Sequence, residues 1–244
     1  MQFHIRRRAL AIVLSFFLLP MSTALTPAQS QKENGFQRIF NGENLEGWDG
    51  DPEFWSVKNG AIVGQKPKGN PGYNTFIVWE EAQPEHFELK LEFKIDSGNS
   101  GIQYRSKRLE KNKYRMHGYQ GDVDHAGKYI GLNYDEGGRG ILAHRGEKVV
   151  ITKDGTKKNK KIGSKKALLK KIDLDAWNEY HIIARGNRLV HKINGQVMSV
   201  VVDHQEADKR GGGYIGFQLH QGMSMKISFR NIRIKPLSAP GRTK

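Results

Sequence analysis

An all-β fold, a sandwich or barrel of many short strands, is what this sequence predicts. Three observations lead there. Segment after segment alternates apolar with polar side chains, the period of a half-buried strand. Turn signals recur about every ten residues, with Asn-Gly pairs at Asn59-Gly60 and Asn194-Gly195 that suit tight hairpins. Beyond the N-terminal segment no helical period is sustained.

Residues 1–30 read as a secretory signal: Arg6-Arg7-Arg8, an apolar run from Ala9 to Leu19, then Pro20 and small residues. That run is too short for a membrane-spanning helix, which needs about 20 residues. Cleavage is expected at Ser22-Thr23-Ala24, or alternatively at Ala28-Gln29-Ser30. The expectation is a secreted or periplasmic protein with no stable membrane insertion after cleavage. The remaining chain, about 215 residues, has the size of one all-β domain and needs no disulfides; the chain has no cysteine.

Trp55 to Gly64 reads as a hairpin about Asn59-Gly60. His86 to Ile95 alternates throughout, with Phe87, Leu89, Leu91, Phe93 and Ile95 inward. Gly101 to Arg105 and Gly118 to Asp124 follow as strands. The Gly-rich stretch Gly127 to Gly140 reads as a loop. Trp177 to Ala184, Arg188 to Ile193 and Gln196 to Val202 form three more strands; Tyr214 to His220 and Met225 to Ile234 close the domain. Residues 237–244 read as a frayed tail. Trp48, Trp55 and Trp177 sit beside turns and read as core lids, and His86 and His181 as solvated outward residues.

The net charge is +15, much of it between Lys148 and Lys171, where ten lysines face one acid, Asp154. The tract has no interleaved aromatics for base stacking, so no nucleic-acid partner is expected. A solvated loop and an edge strand kept unpaired by lysine is the reading preferred over a polyanion patch.

Three strands share one pattern. Ile102 and Tyr104, Tyr119 and Val123, and Ile215, Phe217 and Leu219 point one way. Gln103, Arg105, Gln120, Asp122, Gln218 and His220 point the other. If the strands are neighbours, these six form one polar patch suited to a sugar. His191 shares a face with Leu189 and Ile193, which favours a buried histidine.

A set of blocks in order carries a family resemblance. It opens with Phe40-Asn41-Gly42-Glu43-Asn44-Leu45-Glu46-Gly47-Trp48 and Trp55-Ser56-Val57-Lys58-Asn59-Gly60. Asn99-Ser100-Gly101-Ile102-Gln103-Tyr104-Arg105 and Gly118-Tyr119-Gln120 follow. It ends with Gly216-Phe217-Gln218-Leu219-His220 and Phe229-Arg230-Asn231-Ile232-Arg233-Ile234. The chain resembles the 3-keto-disaccharide hydrolase family over residues 35–236. The resemblance implies a two-sheet antiparallel jelly roll, concanavalin A-like or laminin G-like, with sugar bound on a concave sheet. Many members carry Glu where this chain has Gln120, so Asp122, two residues on and on the same face, is expected to supply the carboxylate.

The activity so implied is cleavage of a 3-keto-glycoside by proton abstraction at carbon 2 and elimination at carbon 1, with or without rehydration of the glucal. The alternative is a non-catalytic carbohydrate-binding module on the same sheet. Elimination needs a base, an acid and a group that stabilises the enolate. Asp122 or His220 is the expected base; the other, or His191, is the acid. Arg105 or a divalent metal ion would stabilise the enolate, with Asp122 and His220, joined by Asp124 or Glu136, as candidate metal ligands. Gln103, Gln120 and Gln218 are expected to bind hydroxyls, and Tyr134, Glu136 and Arg139 to reach the sugar from the Gly-rich loop. No dinucleotide fingerprint is present, so no nucleotide cofactor is expected and a separate sugar 3-dehydrogenase must supply the ketone.

Overall fold

A computed structural model describes residues 33–241; the expected signal segment lies outside them. The strands are β1 (Gln37–Arg38), β2 (Trp48–Asp49), β3 (Trp55–Lys58), β4 (Ala61–Lys66), β5 (Thr75–Trp79) and β6 (Phe87–Ser97). Next come β7 (Asn99–Leu109), β8 (Asn112–Asp124), β9 (Asn133–Glu136), β10 (Gly140–Ala143), β11 (Glu147–Ile151) and β12 (Lys157–Lys161). One short helix, α1 (Lys165–Leu169), precedes β13 (Asn178–Arg185), β14 (Arg188–Ile193), β15 (Gln196–Asp203), β16 (Tyr214–Leu219) and β17 (Met225–Pro236).

These strands build a jelly-roll sandwich of two sheets. One runs β12-β11-β15-β14-β13-β6-β17-β4-β3, with β1 paired to β17; the other runs β10-β9-β8-β7-β16-β5-β2. Pairing is antiparallel except between β11 and β15, which run parallel. The alternation in β6 is realised: Phe87, Leu89, Leu91, Phe93 and Ile95 are buried and the residues between them less so. They meet Ile102, Tyr104, Tyr119, Val123 and Phe217 of the facing sheet in one core. Phe217 stacks on Phe229 at 4.1 Å between ring centroids, and burying one such side chain is worth about 1.5–3 kcal/mol.

Both Asn-Gly turns have the left-handed backbone that a twisted two-residue hairpin needs: φ is 53° and 73° at Asn59-Gly60 and 49° and 76° at Asn194-Gly195. Asparagine and glycine tolerate this region at low cost, which explains their placement.

Several local expectations give way. β5 escapes the alternation test because Thr-Phe-Ile-Val-Trp is apolar on both faces; Phe76 and Val78 pack under Met116 and Tyr214 on the outer side. The Gly-rich stretch is not all loop, since Asn133–Glu136 pairs with β8. His181 is not solvated: it is buried and its Nε2 lies 2.8 Å from Glu88. The tail is not frayed at its start, because Leu237 N donates to His86 O and Arg185 Nε to Ser238 O. Trp48 and Trp55 are buried as expected, while Trp177 is partly covered by the Arg230 guanidinium, 4.1 Å from its ring.

The lysine tract forms the β11–β12 hairpin and α1. β12 is the outermost strand of its sheet and every residue in it is exposed. Charged side chains there disfavour pairing with another molecule's edge.

Candidate active site

A cavity of about 760 Å³ opens on the outer face of the β10-to-β2 sheet. This size suits a small ligand. Four pieces of chain close it at one end of the sandwich. They are the β6–β7 turn with Asn99, the Asp124-to-Leu132 connection, the β16–β17 turn with His220 and Met223, and Asn74 just before β5. Its floor is Gln120 and Asp122 of β8 with Tyr134 and Glu136 of β9. Gln120 and Tyr134 are direct partners across that ladder.

Asp122 is 8% exposed and its Oδ1 accepts from Gln120 Nε2 at 2.6 Å. Burial, helped by the negative charges of Asp124 and Glu136, pushes its carboxyl up to about 8, although the Gln120 hydrogen bond pulls the other way. At neutral pH Asp122 therefore holds its proton. Asp122 lines the cavity, and among the described residues its Oδ2 accepts no hydrogen bond. The Gln120 side chain lies over Gly101, where a Cβ would collide with its amide. Glycine at this position is what lets the amide lie flat on the sheet.

His220 follows the last residue of β16 and lines the same cavity. Its Nδ1 is 2.8 Å from Gln221 O. That bond needs Nδ1–H, so in the neutral ring Nε2 is the free acceptor. Asn74 ties two walls together: Nδ2 donates to Glu136 Oε1 at 2.8 Å, and Oδ1 accepts from Gln221 N at 2.8 Å.

The rim between β8 and β9 is rigidly built. Asp124 accepts the backbone N–H groups of Lys128, Tyr129 and Ile130 at 2.9, 2.8 and 2.6 Å. Arg145 holds the same turn by donating to Ile130 O and Gly127 O at 2.6 and 3.0 Å. Lys128 and Tyr129 stand exposed on this rim, the ammonium 4.8 Å from the ring centroid. Lys128 is the single lysine or arginine lining the cavity among the described residues.

The structure thus brings Gln120, Asp122, His220, Tyr134 and Glu136 together. Gln103 and Gln218 share the face but are fully buried and do not line the cavity. Instead they back Gln120, with Gln103 Nε2 donating to Gln120 Oε1 at 3.1 Å. Gln218 Nε2 is buried with no partner among the described residues.

Three expected site residues lie elsewhere. Arg105 sits at φ 47°, where the register between β7 and β8 slips. That bulge turns it off the polar face. Its guanidinium donates to the carbonyls of Glu85, Gly186 and Arg210, with Nε 2.8 Å from Glu85 O. Arg139 pairs with Asp135 at 2.9 Å and Asp203 at 2.7 Å. His191 is fully buried between the sheets, 2.9 Å from Tyr104 Oη and 3.2 Å from Leu132 O, and burial lowers its pKa to about 4.

A metal fits this cavity poorly. Among the described residues no three His, Asp or Glu side chains converge to hold one. Asp122 and His220 offer two donors, but Asp124 is committed to three backbone N–H groups and Glu136 to Asn74. Residues the alternation pattern did not single out are Asn74, Asn99, Lys128 and Met223. Asn74, Lys128 and Met223 come from connections, where period-2 patterning carries no information, and Asn99 opens β7 at its turn.

Solved structures with this fold are known at low identity. A provisional glycosyl hydrolase from Parabacteroides distasonis is 20% identical, with a TM-score of 0.54 over 87% of this chain and 99% of that one. The carbohydrate binding module CBM66 from Bacillus subtilis is 16% identical, with a TM-score of 0.51 over 78% and 95%. A Bacillus subtilis protein of unknown function with a galectin-like fold is 10% identical, with a TM-score of 0.51 over 80% and 92%. These likenesses bear on the fold alone. No curated protein matches the chain in sequence. The family model for the 3-keto-alpha-glucoside-1,2-lyase-like domain matches residues 35–235, and the chain belongs to that carbohydrate-acting family.

Proposed function

We infer that this protein is an exported lyase/hydrolase that cleaves 3-keto-glycosides by elimination. The observation that carries this reading is Asp122, a buried carboxyl on the cavity floor with one oxygen tied and the other free. His220 lines the same cavity.

The roles follow from the burial of Asp122 and the hydrogen bond at His220 Nδ1. His220 Nε2, free while Nδ1–H bonds Gln221 O, takes the proton from carbon 2 of the 3-keto sugar. Lys128, in the place expected for Arg105, stabilises the enolate oxygen at carbon 3. The enolate electrons re-form the ketone and expel the oxygen at carbon 1, and Asp122 Oδ2–H protonates that leaving oxygen. The products are the 2-hydroxy-3-ketoglucal and the freed alcohol or sugar. Water added across the glucal gives net hydrolysis. A carboxylic acid kept neutral near pH 7 by burial is suited to donating a proton. Tyr134 and Tyr129 offer ring faces to a pyranose. A separate sugar 3-dehydrogenase supplies the ketone, and the N-terminal signal takes the protein out of the cytoplasm. No step is routed through a metal.

The test is release of the second sugar from 3-keto-trehalose or 3-keto-lactose, with and without a chelator. Release that disappears in Asp122→Asn and in His220→Ala supports the reading. No release, together with saturable binding of unoxidised glycans, would sink it and leave a carbohydrate-binding module on the same sheet.

A further inference from the structure

Guarding a sheet edge requires charge on β12 alone, yet the lysine tract runs on past it. Lys165, Lys166, Lys170 and Lys171 lie in α1 and directly after it, where there is no strand edge to guard. Of the ten lysines between Lys148 and Lys171, Lys165 alone has an ion pair among the described residues, with Glu147 at 3.4 Å.

The tract is fastened to the rim of the active-site cavity at three places. Lys157 Nζ donates at 2.7 Å to the carbonyl of Ile141, which lines the cavity. Arg145 Nε donates to Lys165 O at 3.1 Å, while the other two guanidinium nitrogens hold Ile130 O and Gly127 O of the rim turn. The Leu169 side chain packs over Gly127, where a Cβ would stand 3.1 Å from it. Gly127 lies between Ala126 and Lys128, and both line the cavity. The positive surface therefore continues from the cavity's edge.

That surface is also concave. A second cavity, of about 490 Å³, lies between β12 and α1. Lys160, Lys161, Lys165 and Lys166 line it together with one acid, Glu147, which Lys165 holds. Lysines converging on a hollow concentrate positive potential there and draw in anions.

Like charge repeated along a surface matches a polymer of repeated opposite charge. Membership of a carbohydrate-acting family makes that polymer a saccharide. Nucleic acid matches less well, because no aromatic side chain interleaves the lysines. A membrane surface matches less well too, because Ile162 is the single large apolar side chain the tract exposes among the described residues.

We propose that the β11–β12 hairpin and α1 bind an acidic saccharide chain, carboxylated or sulfated, that forms the remainder of the substrate while its 3-keto unit occupies the cavity. This rests on the reading of the cavity given above. Its test uses no 3-keto sugar, so the two readings fail separately.

Isothermal titration calorimetry measures binding of hexagalacturonate, sulfated maltohexaose and neutral maltohexaose to the protein and to two triple variants. Lys160→Glu with Lys161→Glu and Lys166→Glu reverses the charge at the second cavity and keeps the sheet edge charged. Replacing the same three lysines with glutamine only neutralises it, and serves if the first variant fails to fold. At least one acidic oligosaccharide is expected to bind saturably, about tenfold or more tighter than the neutral one, and the tighter of the two names the charged group. Binding should weaken about tenfold or more as salt rises from about 0.05 to about 0.5 M, and by at least as much in the charge-reversed variant. A nitroxide on one end of the bound chain should broaden the NMR amide signals of Lys128 and Tyr129 as well as those of β12.

Equal affinity for acidic and neutral chains, or an affinity that the folded variants leave unchanged, would overturn the proposal. Broadening confined to β12 would do the same. So would equally tight binding of duplex DNA or of phosphatidylglycerol vesicles, which would make the tract an indiscriminate anion surface.

Discussion

Gln120 and Asp122, two positions apart on β8, join side chain to side chain at 2.6 Å. Residues i and i+2 of a strand face the same side, and here no other side chain separates them because Gly101 stands opposite Asp122 in the neighbouring strand. The pair sets the electrostatics of the cavity floor. The carboxyl is at once buried, pushed up to about 8, and given one fixed donor.

Activity on a 3-keto-glycoside should fall as pH rises through about 8, because an acid catalyst works in its protonated form and burial holds Asp122 protonated up to that point. A pH profile of kcat/KM checks this. A limb that instead rises through the same pH would assign Asp122 as the base. Asp122→Asn should abolish the limb and cost about 10²–10⁴-fold in rate, the usual worth of a positioned proton donor.

Gln120→Glu should bring two carboxyls into hydrogen-bond contact on the cavity floor. Like charges that close cannot both ionise, so the pair is expected to share a proton and titrate in two separated steps. The basic limb of the rate profile should move upward. An unmoved limb would show that the two side chains do not remain in contact.

Arg105→Ala should destabilise the fold and leave the pH profile in place. The change strips donors from the carbonyls of Glu85, Gly186 and Arg210. These carbonyls are part-buried and each lost bond costs about 1 kcal/mol or more, so a total loss of about 3 kcal/mol or more is expected in denaturant unfolding. A selective loss of kcat with unchanged stability would return Arg105 to the site.

His191 should make the fold sensitive to mild acid. Burial lowers its pKa from 6.5 to about 4, so the unfolded chain binds a proton that the folded one refuses between those values. Its contribution is neutral above pH 6.5 and grows unfavourable as pH falls toward 4, at up to about 1.4 kcal/mol per unit. Unfolding free energies at pH 7 and pH 5 measure it. A His191→Asn variant that keeps the same dependence would place its origin elsewhere.

Replacing Lys157, Lys158, Lys160 and Lys161 of β12 with threonine should promote self-association. The strand is a fully exposed sheet edge, and lysine is what makes its pairing with another edge unfavourable. Light scattering at fixed protein concentration checks this; a monomer unchanged by the substitutions would leave the lysines another role.

The sequence by itself determined the fold class, most strands and the inward face of each. Alternation in β6, β8 and β16 follows from burial of one face and can be read without knowing the partner strand. The Asn-Gly turns are equally local. Asp122 and Gln120 were legible for the same reason, as polar members of a strand whose other face is core, and His220 as the residue that continues the alternation of β16.

Tertiary structure alone decided what those rules cannot reach. A bulge at Arg105 broke the period and turned an apparent site residue into a clamp on three carbonyls. Arg139 found Asp135 and Asp203, the latter 64 positions away. Gln103 and Gln218 kept their face but lost the cavity, because they are fully buried behind the Gln120 side chain. Asn74 and Lys128 entered it from connections that carry no period, and Asn99 from the first position of β7. Pattern reports which side of a strand is dry. Which polar groups meet on the other side depends on strand order, register and the turns at the sheet's end, and those are fixed only when the two sheets pack.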